Sequence, residues 1–150
     1  NGTDSLKLLF TANKGLSFGS LKKIASGGEM SRIMLSVKAI LTTYKKLPTI
    51  IFDEIDTGVS GEIANQMAAI MNGMSSSTQL LSITHLPQIA AKGEHHIKVY
   101  KEDIGDVTRT LLSILDKQER IAEIATMIGG NNLSDASTAS AKELLNTENK

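Results

Sequence analysis

The feature that most constrains the fold is the run Thr49-Ile50-Ile51-Phe52. It is continuous, apolar and rich in β-branched residues, which is typical of a strand buried on both faces in a parallel sheet. A second run of this kind spans residues 79–84, and apolar residues at helical spacing predict a helix over residues 61–73 between the two. The segment 49–84 therefore predicts a β-α-β unit.

Shorter signals predict the rest of the chain. A strand is expected over residues 6–10, and the segments 96–101 and 107–115 predict an antiparallel hairpin. Two helices follow, one opened by a capping box at Asp116 and one over residues 135–146. The expected fold is an α/β lobe in which a mostly parallel sheet is flanked by helices and finished by the hairpin and the two C-terminal helices.

Composition limits the classes of function. The 150 residues suit one domain, and 16 basic residues balance 16 acidic residues. A net charge of zero gives no electrostatic reason to make this chain the main grip on a nucleic acid. The absence of cysteine excludes disulfides and thiolate metal sites, and it suits a reducing cytoplasm. No apolar run approaches the roughly 18 residues of a membrane span, and there is no signal peptide pattern.

Two adjacent acids, Asp53 and Glu54, end the first apolar run. Open α/β sheets bind ligands outside the carboxyl ends of their strands. There, one carboxylate can hold magnesium through its water shell, and the next can orient or deprotonate an attacking water. The pattern therefore fits a magnesium–nucleotide site, although a solvated turn explains two acids after a strand equally well.

The segment Ser26-Gly27-Gly28-Glu29 precedes a helix that apolar spacing predicts from Met30 onward. Paired glycines let the backbone approach an anion, and the N-terminus of the helix supplies free N–H groups. The segment is thus a candidate phosphate contact. A serine-capped helix after a flexible turn is the alternative.

His85 directly follows the second apolar run. The two strands of a β-α-β unit end at the same edge of the sheet, so His85 is expected near Asp53 and Glu54. An imidazole there can hydrogen-bond a terminal phosphate. A histidine that caps a helix beginning at Pro87 is the alternative.

In this order the three stretches resemble motifs of ABC-type ATPases, in the form used by SMC-like proteins. Residues 25–32, Ala-Ser-Gly-Gly-Glu-Met-Ser-Arg, resemble the signature motif. Residues 52–61 look like a Walker B strand that runs into a D-loop, and residues 83–91 look like the switch-histidine segment. The last two are closest to the form found in a bacterial DNA-repair branch of these proteins. The resemblance extends from about residue 6 to residue 145.

The resemblance implies a role for each matching residue. Asp53 would coordinate Mg²⁺, Glu54 would act as the catalytic carboxylate on water, and His85 would contact the γ-phosphate of ATP. Asp56 would belong to the nucleotide-binding residues, and with its neighbours it would run along a dimer interface and couple two nucleotide sites.

The signature residues imply a second protomer. Ser26, Gly27 and Gly28 would bind the γ-phosphate of an ATP molecule held by the opposite head, so a homodimer through the heads is expected. The chain has no G-x-x-x-x-G-K-[ST] phosphate loop, and its start at Asn1 is interpreted as a cut at the end of a coiled coil. Residues 1–150 are therefore expected to be the C-terminal lobe of a head whose Walker A lobe and coiled coil are absent, and to be inactive alone.

For the full-length protein, the resemblance implies ATP hydrolysis in the repair of DNA double-strand breaks and in recombination. It also implies contact with DNA, a bacterial cytoplasm with nucleoid association, and no membrane. The head lobe of another SMC-like chromosome or repair ATPase is an alternative, and so is a non-catalytic dimerisation module. A Ser26–His85–Asp53 hydrolase triad is disfavoured because the sequence has no G-x-S-x-G elbow.

Other polar residues carry weaker hypotheses. The pair His95-His96 suggests a metal site, but adjacent residues of a strand point to opposite faces, which favours a surface pair. The basic residues Lys22-Lys23, Lys45-Lys46 and Arg109 suggest DNA contacts, although scattered solvated charge explains them better.

Overall fold

The structure is a computed structural model that describes residues 2–5, 7–11, 14–15, 17–20, 26–130 and 134–146. Its elements in chain order are β1 Leu9–Phe10, β2 Gly19–Ser20, α1 Gly27–Tyr44, β3 Thr49–Asp53, α2 Gly61–Ser75, β4 Gln79–Ile83, α3 Pro87–Lys92, β5 Ile97–Ile104, β6 Val107–Ile114, α4 Lys117–Gly129 and α5 Asp135–Asn146. The predicted β-α-β unit, the hairpin and both C-terminal helices are confirmed. Residue 6, residues 12 and 13, the pair Lys22-Lys23 and Ala25 lie outside the described residues.

The strands of the described residues form three two-stranded sheets. β3 and β4 are parallel, with a register that runs from Thr49 opposite Gln79 to Asp53 opposite Ile83. β1 pairs with β2 and β5 pairs with β6, both antiparallel. The α/β class is thus confirmed. The mostly parallel sheet is not found among the described residues, where β3 and β4 pair only with each other.

The main core lies on one face of the β3–β4 pair. Ile50 and Phe52 are buried there against α2, whose Met67, Met71 and Met74 are also buried. The opposite face is open, and Ile51 is 65% exposed. The prediction that this strand is buried on both faces is therefore wrong for the described part of the chain, since no described element covers the second face.

Helix α1 has an apolar side that packs on the main core and an apolar side that does not. Leu35 is the buried residue of α1, and Ala39 packs beside it. The side chains at the helical spacing that predicted α1 are mostly exposed: Met34, Val37, Ile40, Leu41 and Tyr44. An open groove of about 360 Å³ separates this side of α1 from the uncovered face of β3, so α1 and β3 expose apolar surface next to each other.

A second, smaller core joins α3, α4 and α5. Ala91, Ile124, Ala125 and Ala141 are completely buried in it. The predicted capping box of α4 is confirmed, since the Asp116 carboxylate accepts two backbone N–H groups of the first turn. Among the helices that the structure describes, none has the length and apolar character needed to cross a membrane.

Candidate nucleotide site

The carboxyl ends of β3 and β4 form the edge where the sequence places its acids. Asp53 ends β3 and Glu54 follows it, and both are exposed. The Glu54 N–H donates to the carbonyl oxygen of Ile83 at 3.0 Å, which holds the two strand ends together. Glu54 has φ of 48°, a left-handed conformation that costs a residue with a side chain about 1 kcal/mol or more. Backbone strain of this kind is typical of functional sites.

The chemistry of this edge fits a hydrated divalent cation. The carboxylates of Asp53 and Glu54 accept no hydrogen bond from any residue that the structure describes, so both remain available to water or metal. Mg²⁺ prefers oxygen ligands, keeps several of its waters and needs only one or two carboxylates from the protein. These residues could therefore hold Mg²⁺, although they do not form a cage for it.

His85 lies two residues beyond the end of β4, on the same edge as the acids. Its side chain is 63% exposed, and its Nδ1 lies 3.8 Å from the Oδ2 atom of Asp56. The carboxylate that faces His85 is thus Asp56, which leaves Asp53 without the contact that a Ser26–His85–Asp53 triad requires. The predicted convergence of His85 with the acids on one sheet edge agrees with the structure.

Asp56 is completely buried, with an exposure of 0%. Ile55 and Val59 on either side of it are anchored in the main core, and they carry the loop inward. The Asp56 carboxylate accepts a hydrogen bond from the Thr84 hydroxyl. The sequence places Asp56 at a dimer interface and among the nucleotide contacts, whereas the structure gives its carboxylate no surface for a nucleotide.

The signature segment begins α1. Ser26 is its N-cap: the Ser26 hydroxyl accepts from the Glu29 N–H at 3.3 Å, and the Glu29 carboxylate accepts from the Ser26 N–H at 2.7 Å. These hydrogen bonds with Ser26 lower the pKa of Glu29, so the carboxylate stays ionised at the positive end of the helix. The hydroxyl hydrogen of Ser26 has no acceptor among the described residues, which leaves it available to an external oxygen.

Gly28 is close to the loop that follows β3. A Cβ atom on Gly28 would lie 3.2 Å from the Gly58 carbonyl oxygen, whereas a Cβ on Gly27 would meet nothing within 4 Å. The two glycines therefore differ: Gly28 permits a close internal contact, and Gly27 faces open space. Ser26 itself makes no hydrogen bond with Asp53, Glu54 or His85, so the signature approaches the acidic edge through Gly28 and the loop after β3 and not through its serine.

Two residues of this region were not singled out from the sequence. Thr84 bonds the Asp56 carboxylate, and Gly58 contacts the signature glycine. Both lie inside the segments quoted for the resemblance, but their spacing carries no sign of these contacts. Only the position of Thr84 directly before His85 could have suggested a supporting role.

The histidine pair shows no metal site. His96 is half-buried, and its burial, together with the Arg120 guanidinium, lowers its pKa. His95 is exposed. Over residues 26–130 and the other described ranges, no group of three or more His, Asp or Glu side chains could hold a metal ion.

The fold is shared with SMC ATPase heads. A chain solved in work on the ATP-driven dimerisation and DNA-stimulated activation of SMC ATPases superposes with a TM-score of 0.57 at 19% identity, covering 79% of this chain and 70% of that one. An Smc head bound to the C-terminal winged-helix domain of ScpA superposes with a TM-score of 0.54 at 23% identity, covering 68% and 31%. The chain thus has the α/β fold of a lobe of such a head.

The sequence is similar to DNA repair protein RecN over almost its whole length. It is 45% identical to RecN of Bacillus subtilis over 144 residues, 42% identical to that of Rickettsia conorii over 145, and 39% identical to that of Vibrio cholerae over 144. These matches cover 96–97% of this chain but 25–27% of the relatives, so the chain spans about a quarter of their length. No protein-family model matches it. The resemblance noted from the motifs is confirmed as a similarity to RecN proteins over 96–97% of this chain.

Proposed function

We propose that the chain is the C-terminal lobe of an SMC-like head that hydrolyses ATP with Mg²⁺. The observation that carries the proposal is the edge formed by the ends of β3 and β4. Two exposed carboxylates, which have no hydrogen-bond partner among the described residues, share this edge with an exposed histidine. The left-handed conformation of Glu54 and the presence of an exposed histidine at the same edge favour a functional site over a solvated turn.

Each residue of the edge has one role in this proposal. Asp53 would hold Mg²⁺ through its waters, and the bound metal would supply positive charge beside the γ-phosphate. Glu54 orients the attacking water and accepts its proton. His85 directs a ring N–H to a γ-phosphate oxygen, which is how it responds to the presence of that phosphate.

The signature segment acts on the nucleotide of a second head. The Ser26 hydroxyl and the N–H groups of Gly27 and Gly28, which have no acceptor among the described residues, lie at the positive end of α1, a favourable place for phosphate oxygens. Two copies arranged head to head would then share two ATP molecules, each bound by the acidic edge of one copy and the signature of the other. ATP binding would close such a dimer, and hydrolysis would release it.

The phosphate loop comes from a Walker A lobe of the same polypeptide. The uncovered apolar surface beside the acidic edge supports this, because Ile51, Leu81 and Ile83 are 65%, 42% and 53% exposed on one face of β3 and β4. Contiguous apolar patches of this kind mark interfaces more often than free surface. A lobe seated there would bring its phosphate loop to Asp53 and Glu54.

For the whole protein we propose a role in DNA repair, the function that the name of its RecN relatives gives. It would act in the repair of double-strand breaks and in recombination, in the bacterial cytoplasm. Contact with DNA is assigned to the assembled protein. The balanced charge of this chain gives no reason to place that contact here.

The test is ATP turnover by this chain co-expressed with its Walker A lobe, compared with Glu54→Gln. Loss of a positioned base typically lowers the rate by about 10²–10⁴. Glu102→Gln, which changes an exposed glutamate of β5 in the same way, is the matched control and is expected to retain full turnover. Turnover that survives Glu54→Gln would place the catalytic carboxylate elsewhere and leave this lobe as a dimerisation module.

A further inference from the structure

Asp56 carries a buried carboxyl group that the proposed chemistry does not use. Its side chain has no exposed surface, and its Oδ1 atom has no hydrogen-bond partner among the described residues. Burying a polar group with an unsatisfied oxygen is costly, and proteins rarely retain one unless it is paired or has a function. Its other oxygen, Oδ2, contacts Thr84 and faces His85.

The backbone around Asp56 fixes where this carboxylate lies. The Asp56 carbonyl accepts from the Val59 N–H at 3.0 Å, and the Glu54 carbonyl accepts from the Thr57 N–H at 3.2 Å. Ile55 and Val59 are both buried in the main core. Two turn hydrogen bonds and the buried side chains of Ile55 and Val59 therefore hold the carboxylate in place. It can thus position the residues that follow β4.

Thr84 connects the backbone on both sides of His85 to the Asp56 carboxylate. Its hydroxyl donates to Asp56 and accepts from the Leu86 N–H at 3.0 Å. The residues before and after His85 are thus locked together through one side chain. The Nδ1 atom of His85 is the ring nitrogen that faces Asp56, so its Nε2 atom, on the opposite side of the imidazole, is left for a ligand.

We propose that Asp56, acting through Thr84, is the positioning residue of His85: it holds the imidazole with Nδ1 inward and presents Nε2 to the phosphate. Carboxylates that orient a functional histidine in this way are a recurrent device in enzyme sites. The inference deepens the proposed function and rests on it only for the identity of the ligand. The orientation of the ring is a property of this chain alone.

The first experiment needs no nucleotide. Ring nitrogen signals of the ¹⁵N-labelled 150-residue chain are recorded by NMR, with His85→Gln used to assign the His85 signals among three histidines. Asp56→Asn is expected to move the His85 Nδ1 signal. Asp103→Asn is the matched control, because Asp103 also accepts from a threonine hydroxyl, at 2.6 Å, but lies in the β5–β6 hairpin. Unchanged His85 signals in a folded Asp56→Asn chain would overturn the inference.

The second experiment is a double-mutant cycle on turnover in the complex with the Walker A lobe. Asp56→Asn is expected to lower kcat about 10–100-fold, with little change in KM for ATP. In a His85→Ala background the same change should lower kcat by less than about 2-fold, because the residue that Asp56 positions is already absent. Equal losses in both backgrounds would mean that Asp56 acts independently of His85, and they would refute the inference.

The two readouts separate this inference from the proposed function. If the His85 signals depend on Asp56 but the complex shows no ATP turnover, the positioning role is upheld and the proposed ATPase function is rejected. If Asp56→Asn does not fold, Thr84→Val takes its place and Thr84→Ser, which keeps the hydroxyl, serves as its control. Thr84→Val should move the His85 signals and Thr84→Ser should not; the reverse, or no difference, counts against the positioning role.

Discussion

The two signature glycines provide the sharpest comparison that the structure offers, because they are adjacent and differ in their surroundings. Gly27 and Gly28 are the first two residues of α1, and neither has a positive φ. Alanine is therefore compatible with the backbone at both positions. A methyl group at Gly27 would enter open space, whereas one at Gly28 would lie 3.2 Å from the Gly58 carbonyl oxygen.

The expected magnitudes follow from these surroundings. Replacing glycine by alanine at an unstrained position stabilises a protein by about 0.4–1 kcal/mol, mainly by restricting the unfolded chain. Gly27→Ala should show this gain. Gly28→Ala has the same gain, but it must also displace a backbone carbonyl, and crowding of this kind typically costs about 1–3 kcal/mol. The difference between the two variants is thus about 1–3 kcal/mol, and each 1 kcal/mol corresponds to roughly 2–4 °C in Tm.

Thermal and urea unfolding of both variants measure this difference directly. Gly28→Ala should unfold before the wild-type chain, and Gly27→Ala should unfold after it. In the complex with the Walker A lobe, Gly27→Ala should nevertheless lose turnover, because its methyl group would occupy the space proposed for a phosphate. Gly28→Ala as stable as Gly27→Ala would refute the close contact with Gly58, and full turnover by Gly27→Ala would refute the role of the signature.

Three further predictions concern stability and assembly. Arg120 donates to three backbone carbonyls at and just beyond the end of α3, at 2.6–3.2 Å, so Arg120→Met should lower the free energy of unfolding by about 2 kcal/mol in urea, with Arg120→Lys recovering part. Burial lowers the pKa of His96 from the 6.5 of an unfolded chain, so the unfolded state binds the proton more readily. The free energy of unfolding in urea should therefore fall as pH drops below about 6.5. If His96→Gln keeps the same dependence of unfolding free energy on pH, another group causes that dependence. The face formed by Ile51, Leu81 and Ile83 should make the chain self-associate, and light scattering should show this association weakened in Leu81→Lys; a monomer at high concentration would contradict it.

Much of the fold was predictable because local signals agreed with the final contacts. The capping box at Asp116 lies at the start of α4, and the parallel register of β3 and β4 follows from two apolar runs joined by a helix. The side of each element that is buried was less predictable. Ile63 and Ile70 share a helical stripe with Met67, yet they are 40% and 39% exposed, because α2 packs on the sheet through its alanines and methionines. Spacing identifies a helix, but the neighbouring elements decide which of its sides are covered.

The candidate site was predictable to a different degree. That Asp53, Glu54 and His85 share one sheet edge follows from topology alone, since parallel strands joined by a helix end on the same side. The burial of Asp56 does not follow, because an aspartate three residues past a strand is ordinarily a solvated turn residue. It becomes intelligible only when Ile55 and Val59 are seen to be drawn into the core, which turns the side chain between them inward.

Residues 54–60 have contacts with every motif of the site, and this argues against treating the motifs as independent. The loop begins with the strained Glu54, places its Asp56 carboxylate against Thr84 beside His85, and brings its Gly58 carbonyl to the signature glycine Gly28. In the proposed dimer, Gly28 would serve the nucleotide of the opposite head, while Glu54 and His85 would serve their own. A change at the start of α1 would therefore have a short, packed route to the catalytic edge. If this route couples the two sites, Gly28→Ala and Asp56→Asn should have non-additive effects on ATP turnover when they are combined. The free-energy effects of substitutions more than about 7–10 Å apart without shared partners are normally additive, so additive effects would mean that the route does not couple the sites.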